Sequence, residues 1–143
     1  MKGRIEEKIK YIKKELNELN KIMPDSLVDY EEDLKTKAAS ERYAEKIIGA
    51  LFDLAYLVIK YKDYESPETE LEVFDILKNK NIISEELSEK LKNAKRMRNV
   101  IAHLYAEVND EIVFNALKNE LELDAYEFIK QIINLLRKIH NQL

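Results

Sequence analysis

One segment of the chain concentrates side chains that can handle a phosphodiester. Between Lys92 and Tyr105 the sequence holds four cationic side chains, two asparagines, one histidine and one tyrosine. Histidine suits proton transfer near neutral pH, and arginine presents a permanently charged planar fork that matches a phosphate. Together, a histidine that transfers protons and an arginine that binds phosphate are the minimal set of groups for cleaving RNA without a metal. The 2′-hydroxyl of RNA supplies the nucleophile, and the cation stabilises the charge that develops on the phosphorane.

The spacing of these residues predicts a helix with two distinct faces. At about 100° per residue, the apolar side chains share one side, namely Leu87, Leu91, Ala94, Met97, Ile101 and Leu104. A second stripe lies opposite the core and consists of Lys92, Arg96, Asn99 and His103. Arg98 falls near the edge of the apolar side, where its head needs an anionic partner or a path to water.

Each of these residues also has an ordinary structural interpretation. Lys92, Lys95 and Arg96 fit a solvated helix face, which is the usual place for such charges. His103 fits an exposed helical histidine, and Tyr105 fits an amphipathic residue at the margin of the core. The hypothesis of a chemical site therefore rests on the combination of these residues.

The relative position of Arg98 and His103 points to more than one subunit. The two residues are five positions apart, so an ideal helix separates them by about 140°. A single histidine also cannot easily act as acid and base at once. Either the helix distorts near His103, or a twofold interface brings two copies of the pair to one cleft. This geometry favours a homodimer.

The composition restricts the scaffold that positions this segment. The chain has 143 residues, 45% of them hydrophobic and 36% charged, with only two glycines and two prolines. So few turn residues exclude sandwiches, barrels and glycine-rich phosphate loops. The sequence predicts an all-α fold, a single up-and-down bundle of about five helices that forms one domain over residues 1–143.

Helical periodicity sets the expected elements. An apolar stripe from Ile5 to Leu19 predicts a first helix that ends before Pro24. The other four helices are expected over 34–61, from Ser66-Pro67 to Asn79, after a Ser84 cap, and from about Asp110 to the C-terminus behind an Asn109 cap. Gly49 lies inside the long second helix, where glycine costs about 1 kcal/mol relative to alanine. Close approach of a neighbouring helix is the expected reason.

Several kinds of site and location are disfavoured. The chain has no cysteine and only two histidines, His103 and His140, which argues against a thiolate or multi-histidine metal site and leaves no cofactor expected. No apolar run is long enough for a membrane helix and no signal segment is evident, so a cytoplasmic protein is expected. The net charge of −4 argues against broad non-specific nucleic-acid binding but allows a local basic patch.

The chemical segment also resembles a known family. The string from Arg98 to His103 is similar to the R-x4-6-H motif of the HEPN superfamily of α-helical ribonucleases, and its extension to Tyr105 resembles the R-N-x-x-A-H-x-Y form of the HepT toxins. The resemblance covers nearly the whole chain and is weakest over residues 1–30. It extends to the segments Glu41–Leu51, Pro67–Leu77 and Val108–Val113.

The resemblance implies a homodimeric, metal-independent endoribonuclease that acts as a toxin. Arg98 and His103 would be its catalytic pair. Asn99 would be a polar residue of the same site. Apart from the resemblance, the positive charges of Arg96, Lys95 and Lys92 beside the motif make them the other expected contacts to the RNA substrate.

The resemblance also implies a partner. This would be a minimal nucleotidyltransferase (MNT-type) antitoxin that transfers AMP from ATP to Tyr105. An adenylylated Tyr105 would place bulk and negative charge where the RNA phosphate must sit.

Two other hypotheses remain open on the sequence alone. HEPN-like bundles also occur as non-catalytic modules that bind a nucleotide or a nucleotidyltransferase. A purely structural helical interaction protein is the second possibility. The joint presence of Arg98, Asn99, His103 and Tyr105 favours the ribonuclease, because a binding module has no need of an arginine and a histidine at this spacing.

Overall fold

The computed structural model describes residues 2–141 and the side chains of residues 2–139; the side chain of His140 lies outside that range. All regular elements in the described part of the chain are helical, which confirms the predicted all-α class. The helices are α1 (Lys2–Ile22), α2 (Leu27–Glu32), α3 (Leu34–Tyr61), α4 (Glu72–Asn79), α5 (Glu85–His103), α6 (Asp110–Asn115) and α7 (Leu121–Asn141).

The long helix α3 organises the bundle. Its bounds are those predicted from the apolar pattern, and Asp33 caps its start by accepting a hydrogen bond from the backbone N–H of Thr36 at 3.1 Å. Apolar side chains cover a wide arc of α3, so it packs against α1, α4 and α5 at once. The largest fully buried side chains of the core include Tyr30, Phe74, Phe128, Ile12, Leu51 and Leu54.

Two elements differ from the sequence-based expectation. The prediction that a helix begins at Ser66-Pro67 is wrong, since α4 begins only at Glu72. The Glu72 carboxylate accepts hydrogen bonds from the backbone N–H groups of Glu68 and Thr69, at 2.6 and 3.1 Å, and so holds the preceding segment as a turn. The short helix α2 was not expected. Ser26 caps it by accepting from the N–H of Asp29.

The last predicted helix is present with one interruption. Asn109 caps α6 as expected, accepting from the N–H of Ile112 at 3.1 Å. A single π-helical turn over Ala116–Glu120 then joins α6 to α7. The inserted residue shifts the helical phase there, while Leu117 within the turn and Leu121 just after it stay buried.

The expectation for Gly49 is wrong within this chain. A Cβ built at Gly49 meets no atom within 4 Å among the described residues. No helix of the same chain therefore approaches closely at this position. No described helix is both long enough and apolar enough to cross a membrane.

Candidate active site

Helix α5 carries the motif residues on its C-terminal half. Ser84 caps α5 by accepting from the N–H of Leu87 at 3.1 Å, and two acidic residues in the first turn complement the helix dipole. The helix ends at His103, because Leu104 adopts φ −124° and ψ 49°. The N–H of Leu104 still bonds to the carbonyl of Val100 at 2.9 Å. His103 is therefore the last residue of α5.

A tight turn presents Tyr105 immediately beyond the helix. Residues Tyr105–Glu107 form one 3₁₀ turn. It is closed by hydrogen bonds from the N–H of Glu107 to the carbonyl of Leu104 and from the N–H of Val108 to the carbonyl of Tyr105. The Tyr105 side chain is 67% exposed. The modification site implied by the family resemblance is thus accessible to another protein.

The two residues of the expected catalytic pair differ in environment. His103 is exposed, as expected for a residue opposite the core. Arg98 is half-buried, and its Nε is enclosed without a hydrogen-bond partner among the described residues. Asn99 is half-buried beside it. Arg98 therefore approaches the site from the core side of α5 and His103 from the solvent side.

Lys92 and Arg96, the two cations of the stripe expected opposite the core, differ in their exposure. Lys92 binds Asp75 and Glu89, both at 2.9 Å, and its side chain is 13% exposed. Arg96 is exposed, and it donates one hydrogen bond to the side chain of Asn93 at 2.7 Å. Arg96 is therefore exposed to solvent beside the motif, whereas two ion pairs hold the ammonium of Lys92.

The expected solvent exposure of Lys95 is wrong. Its side chain is 4% exposed, and its Nζ lies 3.4 Å from the carboxylate of Glu70. The same Nζ lies 4.6 Å from the centroid of the Phe52 ring. Lys95 thus joins α5 to α3 and to the segment before α4, so its ammonium does not face the solvent beside the motif.

A polar cluster that the sequence did not reveal supports the turn that carries Tyr105. The Nζ of Lys37 in the first turn of α3 lies 2.9 Å from the carboxylate of Asp110, the first residue of α6. This hydrogen bond raises the pKa of Lys37, and the charges of Glu41 and Tyr105 act in the same direction. The ion pair fixes α6, and with it the end of the turn, against α3.

Two buried groups lie beneath this ion pair. Tyr30 is fully buried, and burial raises the pKa of its phenol, with Glu41, Asp110 and Tyr105 adding to the effect. Glu41 is also buried, and burial raises the pKa of its carboxyl, which Lys37 partly opposes. One oxygen of each residue is enclosed without a hydrogen-bond partner in the part of the chain that the structure describes.

Part of this cluster could be recognised in the sequence only as local structure. Asp110 follows the Asn109 cap and was expected as a residue of the last helix, and Glu41 belongs to one of the segments similar to the HEPN family. Their meeting with Lys37 and Tyr30 depends on how α2, α3 and α6 pack. Within residues 2–139, the His, Asp and Glu side chains form no group of three or more placed to hold a metal ion.

Comparison with known proteins identifies the family. A model of the family described as "Ribonuclease HepT-like" matches residues 12–133. The chain belongs to the HepT-like ribonuclease family. The match spans α5 and the whole motif, so the family membership and the placement of Arg98, His103 and Tyr105 rest on the same stretch of sequence.

Individual relatives agree with this assignment. The chain is 30% identical over 88 residues to a protein of Shewanella oneidensis named mRNA nuclease HepT; the match covers 62% of this chain and 65% of the relative. Its fold is similar to a solved structure described as a tri-AMPylated Shewanella oneidensis HEPN toxin in complex with MNT antitoxin. That similarity has a TM-score of 0.84 and 25% identity, over 91% of this chain and 96% of the other.

A second solved structure shares the fold alone. The cytosolic protein YutE of Bacillus subtilis matches with a TM-score of 0.80 at 18% identity, over 96% of this chain and 91% of that protein. The bundle is therefore a scaffold that persists while most of its residues change. Function must be argued from the residues at the end of α5.

Proposed function

We infer that this protein is a metal-independent endoribonuclease toxin, neutralised by an MNT-type nucleotidyltransferase antitoxin that adenylylates Tyr105. The observation that carries the proposal is the placement of the motif. Arg98, His103 and Tyr105 lie on one helix end and the turn that follows it, with His103 and Tyr105 exposed. The relatives named as an mRNA nuclease and as an AMPylated toxin bound to an antitoxin support the two halves of the proposal.

The proposed cleavage uses the nucleophile of the RNA. His103 takes the proton from a 2′-hydroxyl, whose oxygen attacks the adjacent phosphorus. The bond from phosphorus to the 5′-oxygen breaks, and His103 of the partner subunit gives a proton to that oxygen. The products are a 2′,3′-cyclic phosphate and a 5′-hydroxyl. Arg98 binds the non-bridging oxygens and stabilises the charge that grows on them in the transition state.

The proposed cleavage requires two subunits because of how one subunit places Arg98 and His103. Arg98 reaches the site from the core side of α5, whereas His103 points to solvent. One chain also provides a single motif histidine, while the reaction needs a base and an acid. A homodimer built on α3 and α5 would double both residues in a shared cleft. Exposed apolar side chains at the same end, Leu104 at 50% and Ile112 at 61%, support an interface there.

The proposed inactivation acts on the same cleft. The hydroxyl oxygen of Tyr105 attacks the α-phosphorus of ATP, pyrophosphate leaves, and the phenolic proton is lost. Each AMP adds one phosphodiester negative charge two residues from His103. RNA would then meet both a steric block and charge repulsion.

The decisive experiment is RNA cleavage by purified protein in EDTA. We expect the wild-type protein to cut end-labelled RNA and leave a cyclic phosphate. His103→Ala should keep the fold and lose cleavage, because the side chain is exposed and supports no packing. Arg98→Lys should lose most of the activity, since an ammonium cannot hold two phosphate oxygens in one plane. Arg137→Lys, in α7 and outside the motif, is the matched control.

Two results would contradict the proposal. Wild-type turnover in His103→Ala would remove the proposed roles. A protein that binds its nucleotidyltransferase and never cuts RNA would fit the non-catalytic HEPN module. Because α5 carries the motif in either case, only the cleavage assay separates these functions.

A further inference from the structure

We propose that Gly49 is the point of closest contact between two copies of this chain, and that its missing side chain sets how closely their α3 helices approach. This inference rests on the proposed dimeric site and assigns it a specific contact. The starting observation is that Gly49 sits inside a 28-residue helix where nothing in its own chain requires glycine.

The position of Gly49 on α3 shows which face is open. On one side, Lys46 pairs with Glu15 of α1 at 3.0 Å. On the other side, Phe52 lies under Lys95 of α5. At about 100° per residue, Gly49 falls between these two contacts. The α3 strip, defined here as Ala38, Arg42, Glu45 and Gly49, therefore lies between α1 and α5 and is exposed or half-exposed.

The α3 strip runs beside the motif half of α5. Phe52 is level with Lys95, and Lys37 at the start of α3 is level with Asp110, just beyond the motif. The two helices are therefore antiparallel, and the strip lies alongside the C-terminal half of α5 and the turn that follows it. A macromolecule bound to the α3 strip would therefore also contact the motif residues.

The charges of the α3 strip favour a second copy over RNA as the occupant. Arg42 and Glu45 are its charged residues, and they pair with each other at 3.3 Å. The strip is consequently neutral, whereas a phosphate-binding face requires excess cations. A twofold axis through the strip would place the same neutral surface opposite itself. It would also complete the site, because Arg98 and His103 lie on different sides of a single α5.

Substitution at Gly49 separates the fold from the dimer, because the two effects have opposite signs. In the isolated chain a side chain at Gly49 enters open space, so Gly49→Ala and Gly49→Leu should raise the thermal midpoint by a few degrees through helix propensity. In the dimer the added side chain overpacks the contact. Gly49→Leu should weaken dimerisation about tenfold or more, Gly49→Ala less.

The other glycine of the chain provides a matched control. Gly3 is also helical, exposed, and free of atoms within 4 Å of a built Cβ among the described residues. Sedimentation velocity over a concentration series, with RNA cleavage measured on the same samples, should show weaker dimerisation and lower cleavage for Gly49→Leu. Gly3→Leu should match the wild type. At concentrations that restore the Gly49→Leu dimer, cleavage should return.

Each contrary result has a distinct meaning. A Gly49→Leu protein with wild-type dimerisation overturns the inference. So does a Gly49→Leu chain that fails to fold, or a Gly3→Leu chain that loses dimerisation equally. A wild-type protein that cuts RNA as a monomer overturns the proposed dimeric site itself. A wild-type dimer without nuclease activity overturns the ribonuclease proposal, and sedimentation of Gly49→Leu still tests the contact.

Discussion

The Nζ of Lys95 lies 4.6 Å from the centroid of the Phe52 ring, and this contact joins the motif helix to the central helix of the bundle. Glu70 covers the same ammonium from the other side at 3.4 Å. A desolvated cation over an aromatic face is worth up to about 2 kcal/mol. The contact fixes α5 against α3 one turn before Arg98. Lys95 therefore helps to hold the motif half of α5 in place against the core.

Replacing Lys95 should therefore lower the stability of the fold, whereas replacing the adjacent Arg96 should affect RNA binding. Lys95→Ala removes a buried contact and should destabilise the fold by about 1–2 kcal/mol. Arg96→Ala removes an exposed guanidinium and should leave stability nearly unchanged. It should instead weaken RNA binding and lower the salt slope of the binding constant by about one. Thermal unfolding and RNA titration at several salt concentrations measure both effects. Equal loss of stability in the two variants would contradict this assignment.

The Lys37–Asp110 ion pair should stabilise the turn that carries Tyr105. Both side chains are about three-quarters buried, so a double-mutant cycle with Lys37→Met and Asp110→Asn should give a coupling of about 1 kcal/mol. The exposed pair Lys90–Glu86, at 3.1 Å within α5, is the control and should give a smaller coupling, because solvent screens both charges. Chemical denaturation of the four proteins in each cycle provides the values. A coupling no larger than that of the control pair would show that this ion pair does not hold the turn.

Those parts of the fold that depend on local sequence were predictable. The bounds of α3 follow from its apolar pattern, and the Ser84 and Asn109 caps follow from residue type and position. The start of α4 was not predictable from Ser66-Pro67. These residues favour a helix start, but Glu72 satisfies the preceding N–H groups with its own carboxylate and delays the helix.

The residues of the candidate site divide in the same way: local sequence predicts the environment of some, and the packing of distant segments decides the environment of the others. His103 is exposed as expected, because a helical wheel gives the direction of a side chain on its own helix. Tyr105 was expected at the margin of the core and is more exposed than that, because it lies in the 3₁₀ turn beyond the end of α5. A helical wheel does not show what lies in the direction of a side chain. Phe52 and Glu70, which enclose Lys95, come from other segments, and so does Lys37 opposite Asp110. Spacing therefore predicted the motif, and packing decided which of its cations remain exposed to solvent.

The buried Glu41 should make stability depend on pH. Burial raises the pKa of its carboxyl in the folded state, so folding is disfavoured once the pH exceeds the ordinary carboxyl range and the group must ionise. Glu41→Gln should raise the thermal midpoint at pH 7–8, and the difference from the wild type should shrink as the pH falls below that range. Glu31→Gln, on the exposed part of α2, controls for the loss of one negative charge. A constant difference across the whole pH series would be inconsistent with a buried ionising Glu41.

The exposure of Tyr105 leads to the sharpest test of the proposed regulation. Tyr105→Phe removes the acceptor oxygen and, because the side chain is 67% exposed, little packing. We expect this variant to keep its thermal midpoint and to cut RNA at least in part. After incubation with the nucleotidyltransferase partner and ATP, the wild-type protein should gain the mass of one or more AMP groups and lose both RNA affinity and turnover. Tyr105→Phe should gain no mass and keep its activity.

Tyr126 provides the control for this test, since it is the other tyrosine with a largely exposed side chain, at 41%, among those the structure describes. It lies on α7, outside the motif, so Tyr126→Phe should be modified and inactivated like the wild type. If AMP is found on Tyr126, or if Tyr105→Phe is inactivated without any mass change, the antitoxin acts elsewhere or by covering the cleft. Modification confined to Tyr105 would add the negative charge two residues from His103, where it would repel the phosphate of the proposed RNA substrate.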